Sequence, residues 1–397
     1  MKLLNIGFRQ LNTLSAWLVY FCFLGCLLPI AIFSYKRPSY NWDMLPYMAL
    51  VVQMEKRDIA EVHKITYDNA RQGIPANEYD KLIGGELRKS RMENPSEFEK
   101  ILPLYAAKPF YIWLSYGFYK AGVSLPLSTV IPSIIAYLLI GLLLFHWLSR
   151  HHRLLFAFVG TLLIMYSSVV INVANLSTPD CLSALFLLTA FYFILERPSI
   201  LLSFLLLTGS VFVRLDNIVL SFLLLAFLYF SGLWQKKILS VQYLIMPAVL
   251  VGAYMIVSGI ARGDNWDLLY YPTFIKYYHP HHEAQLSFSV SNYLSLFSGR
   301  VVMALLYSHV SIFFLLVLIM VSTTLPAKLR DLPFEHLFCI LLVFTIIIRF
   351  LLFPDLEDRF YISFYVVILI LLMNQYGSGV KLFRTSRSHE TEHLSRS

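Results

Sequence analysis

Charged residues are scarce in this chain. Asp, Glu, Lys and Arg together make up 14% of its 397 residues, whereas hydrophobic residues make up 58% and aromatic residues 16%. Ordinary soluble domains carry about twice that share of charge. The composition therefore excludes an ordinary soluble protein and predicts an integral membrane protein, with no sizeable soluble domain between its apolar segments.

Cysteine is also rare, and all four cysteines lie in or at the edges of apolar segments: Cys22, Cys26, Cys181 and Cys339. None falls in the polar loop at 34–125, which excludes a disulfide-stabilised domain there. Cys22 and Cys26 share a helix face, but two thiols alone make a poor metal site. The chain also lacks a glycine-rich loop for nucleotide phosphates. We expect the cysteines to be packing residues.

Apolar runs near the ~20 residues that cross a bilayer as a helix recur along most of the chain. They predict an all-α membrane protein with about ten transmembrane helices. The two short runs around Arg214-Leu215-Asp216 are either two short spans or one re-entrant element. The predicted spans are 14–33, 127–148, 154–174, 180–195, 199–213, 217–234, 240–260, 297–322, 335–353 and 360–376.

The basic residues of the short loops predict the orientation, because cationic loops stay in the cytoplasm. Lys and Arg collect on one side, at Lys2, Arg9, Arg150, Arg153, Arg197, Lys236, Lys237, Lys328, Arg330, Lys381, Arg384 and Arg387. Both termini are therefore expected in the cytoplasm of a multi-pass plasma (inner) membrane protein. The outer face receives 34–125, 177–180, 214–216, 261–296 and 354–359.

The net charge of +8 does not indicate nucleic acid binding, because the cations lie in juxtamembrane loops and the tail. There they suit membrane lipid, which is the expected partner. The first span lacks a small-residue cleavage site and is expected to be an uncleaved anchor. The polar, Ser-rich residues 377–397 predict a disordered cytoplasmic tail.

The outer loop at 34–125 predicts short helices. Residues 43–54 are largely apolar and end at a charged cluster, which indicates an amphipathic helix lying on the membrane. Asn94-Pro95 combines a capping residue with proline at the first helical position. A further helix is expected from Pro109 to Gly122, and its aromatic residues suit the headgroup level.

Asn41-Trp42-Asp43 places a lone acid just past the outer end of the first span. Ionisable groups at membrane boundaries are functional by default. The alternative is that Asp43 only caps a helix that begins at Met44.

The order of these features resembles the GT-C superfamily of polyprenyl-phosphate-sugar-dependent glycosyltransferases, in particular the aminoarabinose transferases of lipid A and the protein O-mannosyltransferases. One span is followed by an acid, a long outer loop and a multi-span body. Residues 41–47 stand where the family has an acidic motif, often Asp-Glu. Residues 108–114 are similar to its Lys-Pro-Pro-Leu-x-x-Trp-Leu pattern, with Phe110 for the second proline. Further matches are Pro179-Asp180, Arg214 and residues 357–361.

Two departures from the family pattern stand out. The acidic pair is reduced to the single Asp43, which does not favour a divalent metal, so no metal ligands and no certain cofactor are expected. A large soluble domain after the last span is absent, and with it the region that would best identify an acceptor. The acceptor, whether lipid, glycan or protein, is left open.

The resemblance implies transfer of a sugar from a polyprenyl-phosphate donor to an acceptor on the outer face. Asp43 is expected as the general base, a role worth about 100- to 10,000-fold in rate, with Asp180 as the second catalytic acid. Lys108, Arg214 and Arg359 are expected to bind the donor phosphate as it leaves.

Each of these residues also has a structural alternative. Lys108 is a candidate for snorkelling from an interfacial helix. Asp180 is a candidate helix cap. Arg214 and Asp216 are close enough to neutralise each other at a tight turn, and Arg359 has acids beside it for a local ion-pair network.

The loop at 261–296 carries a segment, His279-Pro280-His281-His282-Glu283, that invites a metal interpretation. Adjacent histidines do not readily face one ion, so an aromatic rim over the site is favoured. Acceptor or sugar contacts are expected from Trp42, Tyr47, Tyr270 and Tyr271. Asp264 and Asp267, beside Trp266, are expected to be solvated loop acids.

Two other functions fit a polytopic protein: a lipid or glycan transporter or flippase, and an O-antigen-type polymerase or ligase. The two halves of the sequence show no inverted repeat, and few charges fall at the predicted bilayer midplane. Both observations argue against a transporter. The largest outer loop follows the first span, whereas a polymerase is expected to carry it late in the chain.

Overall fold

The computed structural model describes residues 13–234, 242–261, 290–323, 332–355 and 357–376. These residues contain no β-strand, only one isolated parallel bridge between Ser39 and Leu176. The helices, in chain order, are α1 Thr13–Lys36, α2 Met44–Gln53, α3 Ile59–Gly73, α4 Ala76–Ile83, α5 Glu86–Glu93, α6 Pro95–Glu99, α7 Leu102–Ala106, α8 Pro109–Lys120, α9 Leu125–His151, α10 Leu154–Met165, α11 Ser168–Asn175, α12 Asp180–Leu195, α13 Ile200–Val213, α14 Asn217–Trp234, α15 Gln242–Ile260, α16 Val290–Tyr307, α17 Val310–Ser322, α18 Phe334–Leu352 and α19 Ile362–Tyr376.

Three of the described helices, α1, α9 and α18, are long and apolar enough to cross a membrane. Two bent pairs, α10 with α11 at 61° and α16 with α17 at 73°, raise the number to five if each pair is one broken span. The prediction of a helical membrane protein holds at this level. Other predicted spans fall on shorter apolar helices. The 16 residues of α12 extend about 24 Å, less than the ~30 Å hydrocarbon core.

The long helix α9 is the centre of the packing, with α1, α8, α10, α11 and α12 against it. Phe23 of α1 stacks on Phe145 of α9, with ring centroids 4.5 Å apart. Nearby, a Cβ at Gly141 would collide with Leu27, so glycine permits the close approach of α1. These contacts fix the start of the loop at 34–125, which follows α1 directly.

Helix α2 is buried, and the prediction that it lies on the membrane surface is wrong. Every residue from Met44 to Val52 is buried, and α3, α7, α8 and α9 pack around it. A helix that is apolar on all faces belongs in a core, whereas an interfacial helix needs a polar face. As a result, Asp43 precedes a helix enclosed by protein.

The two helix starts predicted from proline are confirmed. Pro95 begins α6 and Pro109 begins α8. The Asn94 side chain makes no capping hydrogen bond, so the proline alone marks that start. Helix α8 ends at Lys120, two residues before Gly122, whose φ of +91° turns the chain towards α9.

Candidate active site

The carboxylate of Asp43 does not cap α2. Asp43 has helical backbone angles, φ −59° and ψ −23°, and its side chain accepts no hydrogen bond from the helix N–H groups. Asp58, by contrast, caps α3 by accepting from the N–H groups of Ala60 at 3.4 Å and Glu61 at 3.2 Å. The structure therefore removes the alternative in which Asp43 is only a helix cap.

Three side chains hold the Asp43 carboxylate. The Tyr105 hydroxyl donates to Oδ1 at 2.9 Å, Arg359 Nη1 donates to Oδ2 at 3.1 Å, and Asn41 Nδ2 donates to Oδ2 at 3.2 Å. They come from α7, from the 3₁₀ turn Asp358–Phe360 and from the segment before α2. Because 24% of the Asp43 side chain is still exposed, the carboxylate is held in place and accessible.

Arg359 connects Asp43 to other acids. Its guanidinium pairs with Glu357, and its Nε lies 3.8 Å from Asp180 Oδ2. Burial alone would lower the pKa of Arg359, but Asp43 and Glu357 outweigh it and raise the pKa above its ordinary value. The predicted local ion pair, between Arg359 and Glu357, is thus present. Arg359 also pairs with Asp43, which lies far from it in the sequence. A guanidinium has five N–H donors, so these ion pairs leave donors of Arg359 for a phosphate.

A series of ion pairs continues inward from Arg359. It runs through Asp180, Arg214, Asp216 and Arg349. Asp180, the first residue of α12, is 2% exposed and pairs with Arg214. Arg214 also binds Asp216 through two hydrogen bonds, of 3.0 and 2.9 Å, and Asp216 pairs with Arg349. Burial alone would raise the pKa of Asp216, but Arg214 and Arg349 outweigh it and hold the pKa low.

Two of the structural alternatives are therefore decided. Asp180 is the first residue of α12 and Pro179 stands at the capping position, so the Asp180 carboxylate is not the helix cap and pairs with Arg214 instead. Arg214 and Asp216 do neutralise each other, as one alternative had it. The ring of Phe360 contacts two cations, with its centroid 4.4 Å from the guanidinium carbon of Arg214 and 5.0 Å from that of Arg359.

Lys108 precedes α8 and its ammonium has no acid beside it. Its Nζ donates to the Leu104 carbonyl at 2.8 Å and lies 5.2 Å from the ring centroid of Tyr105. No carboxylate in the described part of the chain forms an ion pair with it. Burial, together with the positive charge of Arg214, lowers the pKa of Lys108 to about 8. Asp43 and Asp216 attract this ammonium from beyond ion-pair distance and oppose the lowering of its pKa.

A cavity of about 700 Å³ opens beside Asp43, within the usual size of small-molecule sites. Its wall is formed by Asn41, Trp42, Asp43 and Arg88, by residues of α11 with Leu176, and by the segment 357–359. Lys108, Asp180 and Arg214 are not part of this wall. The candidate base and Arg359 thus face the cavity, whereas the other candidate cations do not.

The remaining predicted contacts have different outcomes. Trp42 lines the cavity. Tyr47 does not: it is 2% exposed and packs edge-on against Tyr105 and Tyr111, with ring centroids 5.2 and 4.9 Å away. The prediction of a sugar contact for Tyr47 is wrong, because α2 is buried. Tyr270, Tyr271, Asp264, Asp267 and the histidine segment 279–283 lie outside the described residues.

Tyr105, Arg349 and Arg88 belong to the site and were not predicted from the sequence. Tyr105 is one of 25 tyrosines, and no local pattern distinguishes it. Arg349 did carry a signal, since it interrupts the apolar span predicted at 335–353, and a charge inside a span has a partner by rule.

Within the described residues, no group of three or more His, Cys, Asp or Glu side chains is arranged to hold a metal ion. Comparison of the chain with protein-family models, curated proteins and solved structures found no match in any of the three searches.

Proposed function

We propose that this protein is a membrane glycosyltransferase that moves a sugar from a polyprenyl-phosphate donor to an acceptor hydroxyl. The observation that carries the proposal is the Asp43 carboxylate, which caps no helix, is held by Tyr105 and Arg359, and lines a cavity of about 700 Å³. A positioned, accessible carboxylate is what a general base requires.

In the proposed reaction, the acceptor oxygen attacks the anomeric carbon and its proton passes to Asp43. The bond from that carbon to the phosphate oxygen breaks, and its electron pair leaves with the lipid phosphate. Arg359 pairs with Asp43 and also lines the cavity. A phosphate that arrives in the cavity therefore competes with Asp43 for the guanidinium, and this frees a lone pair of the Asp43 carboxylate to accept the proton. Lys108 and Arg214 do not line the cavity, and they add positive potential from a longer distance as the leaving phosphate gains negative charge.

The proposal includes the GT-C-like arrangement suggested by the sequence. About ten transmembrane helices would place both termini in the cytoplasm of the plasma membrane and the cavity on its outer face. The shorter helices α12, α13 and α19 would then span by local thinning of the bilayer or by snorkelling of their flanking residues. Asp180, paired with Arg214, acts as a positioning residue in this scheme rather than as a second base.

The test is transfer of radiolabelled sugar from a polyprenyl-phosphate donor in membranes that contain folded protein. Asp43→Asn removes the base without changing the size of the side chain, and we expect the rate to fall by about 100- to 10,000-fold. Asp58→Asn is the matched control, because asparagine caps a helix as well as aspartate does. Undiminished transfer by D43N would refute Asp43 as the base. Movement of donor lipid across vesicles without a covalent product would instead indicate a transporter.

A further inference from the structure

Trp42, the residue before the candidate base, carries two arginines over its ring. The guanidinium carbon of Arg88 lies 5.5 Å from the ring centroid and that of Arg91 lies 5.7 Å away. Both arginines belong to α5, the short helix Glu86–Glu93. Arg88 lines the cavity together with Trp42 and Asp43. Stacking on an indole fixes the plane of a guanidinium without using its N–H donors.

The charge of Arg88 is not neutralised by the protein. In the described part of the chain Arg88 forms no ion pair, and its one hydrogen bond runs from Nη1 to the Lys81 carbonyl at 3.3 Å. The acids of the cavity are already engaged. Asp43 and Glu357 pair with Arg359. Asp358 accepts hydrogen bonds from the Ser308 and Tyr365 hydroxyls and contacts His309 Nδ1 at 2.5 Å.

From this arrangement we infer that Arg88 is an anion-binding residue for the acceptor, and that the acceptor carries a phosphate or carboxylate group near the hydroxyl that is glycosylated. The inference rests on the proposed function. Its anion is assigned to the acceptor, whereas the proposed reaction places the donor phosphate on Arg359; Arg88 and Arg359 are separate cations of the cavity wall. An oxyanion on Arg88 orients the acceptor, and its hydroxyl reaches Asp43, which borders the same cavity next to Trp42. Arg91 lies over the same Trp42 ring, is not part of the cavity wall, and adds a second positive charge on this side of Trp42.

Guanidinium groups bind both phosphate and carboxylate through paired N–H donors. Arg88 therefore indicates that the acceptor carries an oxyanion, and the experiment distinguishes a phosphate from a carboxylate. The probes are therefore three small molecules that share a hydroxyl-bearing carbon chain: glycerol 3-phosphate, glycerate and neutral glycerol. Binding of each is measured by equilibrium dialysis against the full-length protein in a neutral detergent, without donor. This assay is independent of sugar transfer, so the inference and the proposed function fail separately.

We expect at least one of the two anions to bind, glycerol to bind at least tenfold more weakly, and Arg88→Gln to weaken anion binding about tenfold or more. Which anion responds identifies the source of the charge. Lys89→Gln is the matched control, since Lys89 is an exposed cation on the same helix and is not part of the cavity wall. Arg88→Lys keeps the charge but not the planar fork, and we expect an intermediate affinity.

Three results would overturn the inference: equal binding of glycerol and the anions, equal loss in K89Q and R88Q, or loss in Lys108→Gln with none in R88Q. The last would assign the anion to the donor side. The side chains of α5 are all at least partly exposed, so R88Q is expected to fold, which size-exclusion chromatography checks.

Discussion

Asp43 and Arg359 are 316 positions apart in the sequence, and Arg359 Nη1 lies 3.1 Å from Asp43 Oδ2. Asp43 comes after the first helix and Arg359 comes just before the last one. This ion pair therefore brings the two ends of the described chain together at the site. The carboxylate and the guanidinium are 24% and 21% exposed. A pair at that depth is reached by solvent and ligands, which suits an interaction that a substrate phosphate replaces.

The buried ion pair of Asp180 and Arg214 predicts that replacing Arg214 destabilises the protein more than replacing Asp180. Arg214→Met leaves the nearly inaccessible Asp180 carboxylate with only the distant Arg359, and we expect a loss of about 3–5 kcal/mol in the free energy of unfolding. Asp180→Asn should cost less, because Arg214 keeps its two hydrogen bonds to Asp216. Thermal unfolding midpoints in detergent measure the order.

The control for that series is Lys120→Gln, which breaks the exposed pair of Lys120 with Glu55 at 2.9 Å. Exposed pairs contribute little, so its midpoint should match the wild type. If R214M were as stable as K120Q, the charge chain from Asp43 to Arg349 would not stabilise the fold.

Lys108 predicts a pH dependence of donor binding. Its pKa is lowered to about 8, so the free protein loses this ammonium as the pH rises through 8, and a neutral amine no longer attracts phosphate. We expect donor affinity, measured as the KM for the polyprenyl-phosphate sugar, to weaken between pH 7 and pH 9. Lys108→Arg stays charged, so its donor KM should change little with pH. Lys108→Gln should bind the donor weakly at every pH, and its donor KM should also change little with pH.

Lys89→Gln serves as the control for the pH series and should keep the wild-type profile. A wild-type donor KM that is the same at pH 7 and pH 9 would contradict a phosphate contact by Lys108.

Tyr105 predicts a positioning effect on the base. Tyr105→Phe removes the 2.9 Å hydrogen bond to Asp43 and keeps the ring that packs on Tyr47. Hydrogen bonds to charged groups are worth about 1.5–3 kcal/mol, so kcat should fall about tenfold or more while the donor KM stays unchanged. A purely structural role would lower the unfolding midpoint and leave kcat of the folded fraction intact.

Tyr67→Phe is the matched control for Tyr105→Phe. The Tyr67 hydroxyl lies in the same outer loop, is buried and has no hydrogen-bond partner among the described residues. Its removal should leave both kcat and stability close to the wild type.

Local features of the chain were predictable because they depend on neighbouring residues. Proline at a first helical position marked the starts of α6 and α8. The apolar runs indicated helices, and the outer loop indicated several short ones. The same local reasoning misplaced α2, since an apolar segment ending in charges looks interfacial until α3, α7, α8 and α9 are known to surround it.

The sequence by itself determined that the chain is helical and apolar, and that a lone acid follows its first span, because composition and periodicity act over about 20 residues. Only the tertiary structure decided which charges meet. Arg214, Arg349 and Arg359 were all eligible partners for Asp43, Asp180 and Asp216, and the choice depends on packing between helices far apart in the sequence. For the same reason, the contact of Asp43 with Tyr105 and the stacking of Arg88 on Trp42 appear only in the folded chain.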